Sequence, residues 1–209
     1  MKADFLMTPE LAVRAHHSFD RGGFTSWNWL VERTPNGIDL SRREDRQTVH
    51  RFLNRWGCRL KLPKDSRPSY TEDALDDWWT KHQLVLKPLM NVGLEHLHTN
   101  HISKAAACFH DLAERAASDR RRIGPTAASK VLLALAPKTF PAWDSTIARS
   151  LYGGVTAAHF ENHLTQCSSW AKSLLSDSEI RRLAKSSPRF GIAKLIDETL
   201  YYKIVRKGR

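Results

Sequence analysis

The residues most able to do chemistry lie in one segment, residues 120–149. Its pattern predicts a helix, a tight turn at Gly124, an apolar helix, a proline-bounded loop and Asp144 at the cap of a further helix. The first N–H groups of the helix from Thr126 lack partners within the helix, and the helix dipole adds to their attraction for phosphate. A carboxylate such as Asp144 is suited to stabilise developing positive charge or to orient water. The segment therefore predicts a phosphate contact beside a reactive carboxylate.

Positive charge dominates the chain. Lys and Arg number 33 and Asp and Glu 22, which leaves a net charge of +11 with neutral histidines. The surplus lies in residues 42–67, 115–169 and 170–209, and it favours a polyanionic partner, nucleic acid first. The residues expected to contact DNA are Arg120, Arg121, Arg122, Gly124, Thr126 and Lys130.

Residues 115–155 resemble the helix-hairpin-helix DNA glycosylase superfamily. Members of that family carry a hairpin of the form L-P-G-x-G-x-x-T-A, an apolar helix, and an Asp about twenty residues after the second Gly. The Asp stands in a context like F-P-V-D-T-x-[IV]-x-R. In this chain Gly124 and Asp144 are 20 residues apart, and the flanking matches are Phe140, Pro141, Ile147 and Arg149.

The resemblance implies an enzyme that hydrolyses the N-glycosidic bond of a damaged or modified base in double-stranded DNA. Asp144 would stabilise the oxocarbenium-like state and orient water, without metal or organic cofactor. Members that also cut the backbone use a Lys at the position of Thr126, so the resemblance implies a monofunctional glycosylase. The hairpin is degenerate, with Arg122 in place of its first Gly. The resemblance leaves the excised base open: it would be an alkylated, oxidised or deaminated base, or a hypermodified cytosine as in the superfamily's phage-defence branch.

Base excision also needs a flipped nucleotide held against flat side chains. The chain has seven Trp residues, and Trp143 directly precedes Asp144. Trp27 and Trp29 follow a Gly pair in a predicted loop. We expect these three residues to line a base pocket, whereas Trp78 and Trp79 lie at helical spacing and are assigned to the core.

Helix signals recur along the whole chain, and strand signals are scarce. Capping patterns at Thr8, Ser41 and Ser69 predict helix starts, and a pause is expected around residues 61–68. We therefore predict an all-α protein, a single globular domain over residues 1–209 with about eight to ten helices and a degenerate helix-hairpin-helix. No segment is long and apolar enough to span a membrane. We expect a cytoplasmic monomer in which the three cysteines are buried thiols.

Two other functions remain open at this stage. In the first, the chain is a non-catalytic DNA- or RNA-binding protein, and Asp144 only caps a helix. In the second, it is a metal-dependent nuclease that uses the acidic run Glu72, Asp73, Asp76 and Asp77. We predict no metal site, because acids in a first helical turn are favoured by the dipole alone and the histidine groups at 96–101 and 159–163 lack further ligands.

Overall fold

Helices make up most of the chain in the computed structural model, which describes residues 5–22, 25–62, 68–185 and 191–206. Within these ranges the α-helices are α1 (Pro9–Gly22), α2 (Thr25–Arg33), α3 (Arg43–Arg55), α4 (Tyr70–Leu89), α5 (Thr99–Glu114), α6 (Pro125–Leu135), α7 (Ser145–Tyr152), α8 (Ala157–Leu174), α9 (Ser178–Ala184) and α10 (Ile192–Leu200). Two short strands, β1 (Ala116–Ser118) and β2 (Arg121–Arg122), follow α5. The predicted all-α domain of eight to ten helices is confirmed. The predicted loop at 61–68 lies largely outside the described residues.

Short polar side chains begin two helices where the sequence predicts them. The Thr8 hydroxyl accepts the N–H of Leu11 at 3.3 Å at the start of α1. The Ser69 hydroxyl accepts the N–H of Glu72 at 3.2 Å at the start of α4. Both bonds satisfy donors that a helix leaves unpaired in its first turn, so these local capping signals are confirmed.

The predicted cap at Ser41 is wrong. Ser41 donates its hydroxyl proton to the Asp39 carboxylate at 2.8 Å, so a nearer acceptor competes for this side chain. The residue that caps α3 is Arg42, which makes no side-chain capping bond. The helix consequently begins one residue later than the capping pattern indicates.

The chain between α5 and α6 forms a short antiparallel hairpin, where the sequence predicts a helix leading directly into the turn. β1 pairs with β2, and the ladder is extended by Ile123, which donates its N–H to the carbonyl of Arg115 at 2.8 Å. Gly124 then donates to the carbonyl of Ala113 at 2.9 Å. These bonds close the turn against the end of α5 and direct α6 back along that helix.

The last α-helix, α10, lies at the centre of the domain, and a π-helical segment, Tyr201–Arg206, follows it. All residues of α10 are buried, including three charged ones, and it packs against α1, α8 and α9. The apolar faces of the other helices join the same hydrophobic core. A helix that is buried on every side is usually apolar all round, so charged residues on α10 need partners inside the protein.

Candidate active site

The start of α6 leaves backbone donors open. Gly124 caps the helix with φ +79°, a left-handed conformation that favours glycine, and Pro125 occupies the first helical position. The N–H groups of Thr126 and Ala127 have no acceptor among the described residues. This geometry suits the predicted phosphate contact, because the free donors and the positive end of the helix dipole coincide.

The two carboxylate oxygens of Asp144 have different surroundings. One oxygen, Oδ1, accepts the N–H groups of Thr146 and Ile147, both at 2.8 Å, and so caps α7. The other oxygen, Oδ2, accepts no hydrogen bond from the described residues, and the side chain is only half-buried. One carboxylate oxygen therefore fixes the residue in place while the other remains free to face water or a substrate.

The loop before Asp144 is held at two points. Ser129 on α6 donates its hydroxyl proton to the Trp143 carbonyl at 2.9 Å and accepts the Trp143 N–H at 3.3 Å. On the other side, the His163 ring of α8 lies 5.2 Å from the Trp143 ring. Trp143 is buried against the rings of Phe109 and Phe160, which lie 5.7 and 5.2 Å away. Packing and hydrogen bonds together restrict where the carboxylate can sit.

Lys130 points its amine into the protein. Its Nζ donates to the Trp56 carbonyl at 3.1 Å, lies 4.0 Å from the Cys58 sulfur, and sits 4.7 Å from the centre of the Trp56 ring. Burial lowers the pKa of this amine, and the charges of Asp197 and Asp144 act in the opposite direction. The residue is 6% exposed, so it does not present its amine at the surface as the predicted phosphate contact requires.

A second charged group, which the sequence analysis missed, lies on α10. Lys194 Nζ is 2.9 Å from Asp197 Oδ2 and 3.2 Å from Glu198 Oε1, and the other Glu198 oxygen is 3.1 Å from His16 Nδ1. Burial opposes the charge on Lys194, but the two carboxylates outweigh it and raise its pKa. The i, i+3 and i, i+4 spacing of Lys194, Asp197 and Glu198 predicts the ion pairs from the sequence. The same spacing normally indicates a helix face that is exposed to solvent, so it does not predict that these charges are buried.

Three aromatic rings surround the Lys194 ammonium. The ring centres of Phe19, Trp27 and Trp56 lie 6.0, 5.8 and 5.7 Å from Nζ. An ammonium at this distance is attracted by the electron-rich ring faces. Trp56 also contacts Lys130, so it joins the two charged groups into one continuous site. Its helix-terminal position beside Gly57 gives no sequence signal for this role.

The tryptophans predicted to form a base pocket are separated. Trp27 and Trp29 lie on α2, so the loop predicted for them is wrong. Trp27 is 5% exposed and belongs to the rings around Lys194, whereas Trp29 is half-buried, with the Arg55 guanidinium 5.1 Å from its ring. Trp143 is 1% exposed in the core, a position that does not fit a stacking wall for a substrate base. Of the three, Trp27 is the one that the structure brings to the charged cluster.

The three consecutive arginines lie on the exposed hairpin. Arg120 is exposed in the turn between the strands. Arg121 donates to the carbonyls of Arg59 and Cys58 at 2.7 and 3.1 Å, which ties the hairpin to the end of α3. Arg122 pairs with Glu114. Their guanidinium groups therefore remain at the surface, next to the start of α6.

The acidic run of α4 does not converge. Glu72 is buried and lies 3.7 Å from His50, whereas Asp76 pairs with Arg46 at 2.9 Å and the Asp77 carboxylate is exposed. Among the residues described, no group of three His, Cys, Asp or Glu side chains is arranged to hold a metal ion. The α4 carboxylates therefore serve separate contacts in this structure.

A cavity of about 510 Å³ lies at a different place, where α8, α9 and the start of α10 meet. Its lining residues include Glu95, Lys138, Leu175, Arg181, Lys185 and Ile192. None of the predicted site residues lines it. The candidate site is thus defined by its side-chain contacts around Asp144, Lys130 and α10 rather than by this cavity.

Comparison with protein-family models, curated proteins and solved structures finds no match to this chain. None of the helices in the described part of the chain has the length and apolar character needed to cross a membrane. A function for the protein therefore has to be inferred from the geometry and charge of its own residues.

Proposed function

We propose that this protein is a monofunctional DNA glycosylase that hydrolyses the N-glycosidic bond of a damaged or modified base. The observation that carries the proposal is the arrangement of Asp144. Its Oδ1 is fixed by two backbone N–H groups at 2.8 Å, and its Oδ2 has no hydrogen-bond donor among the described residues. A carboxylate with one oxygen fixed in place and the other open to a substrate suits a reaction in which positive charge develops on a sugar.

The surroundings of Asp144 supply the other requirements of such a reaction. The open N–H groups at the start of α6 and the exposed arginines of the hairpin offer contacts to phosphates, and the net charge of +11 attracts DNA. With a flipped nucleotide beside Asp144, the leaving base would carry away the electron pair of the glycosidic bond. Asp144 would stabilise the resulting cation and accept a proton from the attacking water.

The proposal is tested by base release in EDTA, measured as abasic sites, from DNA that carries alkylated, oxidised, deaminated or hypermodified bases. Asp144→Asn should keep the helix cap and lower base release about 100-fold or more, because the charge and the base are lost. Asp177→Asn is the matched control, because Asp177 caps α9 with the same pair of bonds, at 2.9 and 3.0 Å. It should leave base release unchanged.

Three results would contradict the proposal. They are no base release by the wild type, equal release by Asp144→Asn, and strand cutting that EDTA abolishes. The second candidate function, non-catalytic binding of DNA or RNA, is favoured by the exposed hairpin arginines. It predicts salt-dependent binding with no abasic product from any substrate.

A further inference from the structure

The cavity of about 510 Å³ between α8, α9 and the start of α10 has no part in the reaction proposed above. Its volume falls within the range of about 300–1,000 Å³ that is typical of small-molecule sites. Leu175, Ala184 and Ile192 give it an apolar wall. The cavity therefore has the size and the surface to hold an organic molecule.

The charged residues of this cavity are mostly basic. Lys138, Arg181 and Lys185 line it, and among the described lining residues Glu95 alone is acidic, which leaves a net charge of +2. The Glu95 carboxylate does not neutralise the three cations. Its Oε1 lies 3.5 Å from His96 Nε2, and within the described part of the chain it forms no ion pair with the three basic residues. The cavity consequently attracts an anion.

Arg181 is held with one edge of its guanidinium group open. Its Nη1 donates to the carbonyls of Leu175 and Ser176, both at 2.9 Å, directly after α8. An arginine has five N–H groups, and those on Nε and Nη2 of Arg181 have no acceptor among the described residues. Nε and Nη2 together form the parallel pair of donors that binds two oxygens of a phosphate. The guanidinium is thus fixed in place before an anion binds.

The backbone at the start of α10 adds to this attraction. Gly191 precedes the helix and has no side chain to cap it, and the N–H groups of Ile192 and Ala193 have no acceptor in the described ranges. Such N–H groups and the positive end of the helix dipole favour an anion. A Cβ atom at Gly191 would lie 2.9 Å from Lys138 Cα, so glycine lets these two segments approach closely. Backbone donors and basic side chains therefore border the same cavity.

We propose that this cavity binds a nucleoside 5′-phosphate, with the phosphate at the three basic residues and the sugar and base against the apolar wall. A phosphate monoester carries a charge of about −1.5 to −2 at pH 7 and so matches the net charge of +2 better than a singly charged diester of a DNA backbone does. Inorganic phosphate would leave the apolar wall uncovered. A nucleoside is the organic part that fits best, because the net charge of +11 already favours nucleic acid as the partner.

This site is separate from the candidate active site. Neither Asp144 nor any residue predicted to contact DNA lines the cavity, so the inference does not depend on the glycosylase function. A free nucleotide and the 5′-phosphorylated end of a DNA strand present the same chemistry to it. Both sources are therefore included in the test.

Isothermal titration calorimetry of the full chain with the four deoxynucleoside 5′-monophosphates tests the proposal. At least one of the four should bind about 10-fold or more tightly than its own nucleoside, which lacks the phosphate, because charge-assisted bonds to that group are lost. The same monophosphate should bind about 10-fold or more tightly than inorganic phosphate, which lacks the part that covers the apolar wall. Added salt should weaken its binding.

Three variants test which residues hold the phosphate. Lys185→Gln removes a cation at an exposed position after α9 and should weaken binding about 5- to 10-fold. Arg181→Lys keeps the charge but loses the paired donors, so binding should weaken about 10-fold or more. Arg182→Gln is the matched control, because Arg182 is exposed on the same helix, pairs with Glu179 at 3.7 Å and does not line the cavity. Lys185→Gln decides the question if Arg181→Lys does not fold.

Two oligonucleotides of one sequence, with and without a 5′-phosphate, identify the source of the ligand. Tighter binding of the phosphorylated strand that Lys185→Gln abolishes identifies a strand end. Equal binding of both strands, together with binding of the monophosphate, identifies the free nucleotide.

Several results would overturn the proposal. A nucleoside or inorganic phosphate that binds as tightly as the monophosphate does so, and so does equal affinity in Lys185→Gln, Arg181→Lys and Arg182→Gln. Loss of nucleotide binding in Asp144→Asn also overturns it, since the ligand would then occupy the candidate active site. Base release is a separate readout, because Lys185→Gln should release base as the wild type does. A wild type that binds the monophosphate but releases no base overturns the glycosylase function alone.

Discussion

Ser129 forms two hydrogen bonds with the backbone of Trp143. Its hydroxyl donates to the carbonyl at 2.9 Å and accepts the N–H at 3.3 Å. Ser129 directly precedes Lys130, and Trp143 directly precedes Asp144. One buried hydroxyl thus fixes the helix that carries the amine relative to the loop that carries the carboxylate.

We expect Ser129→Ala to lower the free energy of unfolding by about 1–3 kcal/mol, because the buried N–H and carbonyl of Trp143 lose their partner. Chemical denaturation measures this change. Ser103→Ala, at an exposed position on α5, is the control and should stay within about 0.5 kcal/mol of the wild type. A Ser129→Ala variant as stable as this control would show that the two bonds contribute nothing net.

Local signals predict much of the fold. The starts of α1 and α4 follow from Thr8 and Ser69, since a capping hydroxyl bonds to N–H groups only two or three residues away. The prediction fails at Ser41, where the Asp39 carboxylate competes for the same hydroxyl. The prediction of a loop at Trp27 is wrong because the packing of α2 on α3 outweighs the tendency of the preceding Gly pair to interrupt a helix.

The sequence predicts only part of the candidate site, because local signals identify Asp144 but not the buried charges of α10. Asp144 is found from its spacing and its position before a helix, both of which are local. The charges of Lys194, Asp197 and Glu198 look like a solvent-facing pattern, and their burial depends on contacts of α10 with α1, more than 160 residues away in the chain. Such contacts leave no periodic signal in the sequence.

DNA affinity should fall steeply with salt, with a slope of about −0.9 in log K against log salt for each phosphate neutralised. Replacing Arg121 and Arg122 together with Ala should reduce the magnitude of that slope by about 1 to 2. Fluorescence anisotropy at several salt concentrations measures it, with Lys104→Ala on α5 as the control. An unchanged slope in the double variant would exclude the hairpin from the DNA interface.

His163 should make the fold sensitive to acid. Burial lowers its pKa from 6.5 to about 3, so the folded protein keeps this ring neutral while the unfolded chain protonates it below about pH 6.5. The unfolded state therefore binds more protons as pH falls from 6.5 towards 3, and stability is lost over that window. Between pH 7 and pH 5 we expect this group to cost about 2 kcal/mol.

Denaturation curves at the two pH values check the effect of His163. His163→Gln cannot titrate, so it should lose about 2 kcal/mol less than the wild type between pH 7 and pH 5, although its contact with the Tyr152 hydroxyl is altered at both. His110→Gln, at an exposed position on α5, is the control and should lose as much as the wild type. Equal losses in all three proteins would mean that His163 does not stay neutral in the folded state.

The product of the wild-type reaction should be an intact strand that carries an abasic site and breaks only after hot alkali. Thr126 stands where lyase members of the resembling superfamily carry their Lys, and a hydroxyl does not form an imine with the sugar aldehyde. Borohydride should therefore trap no covalent complex with the wild type. Thr126→Lys, placed in the first turn of α6, should give a trappable adduct where its amine reaches C1′.

The same assay tests whether the Lys130 amine acts as a nucleophile. Its Nζ donates to the Trp56 carbonyl at 3.1 Å, and the residue is buried. Neither the wild type nor Lys130→Met should therefore be trapped by borohydride. If the wild type instead cuts DNA without alkali and forms an adduct that Lys130→Met abolishes, then Lys130 is a nucleophile. In that case the monofunctional assignment, which depends on Thr126, is wrong.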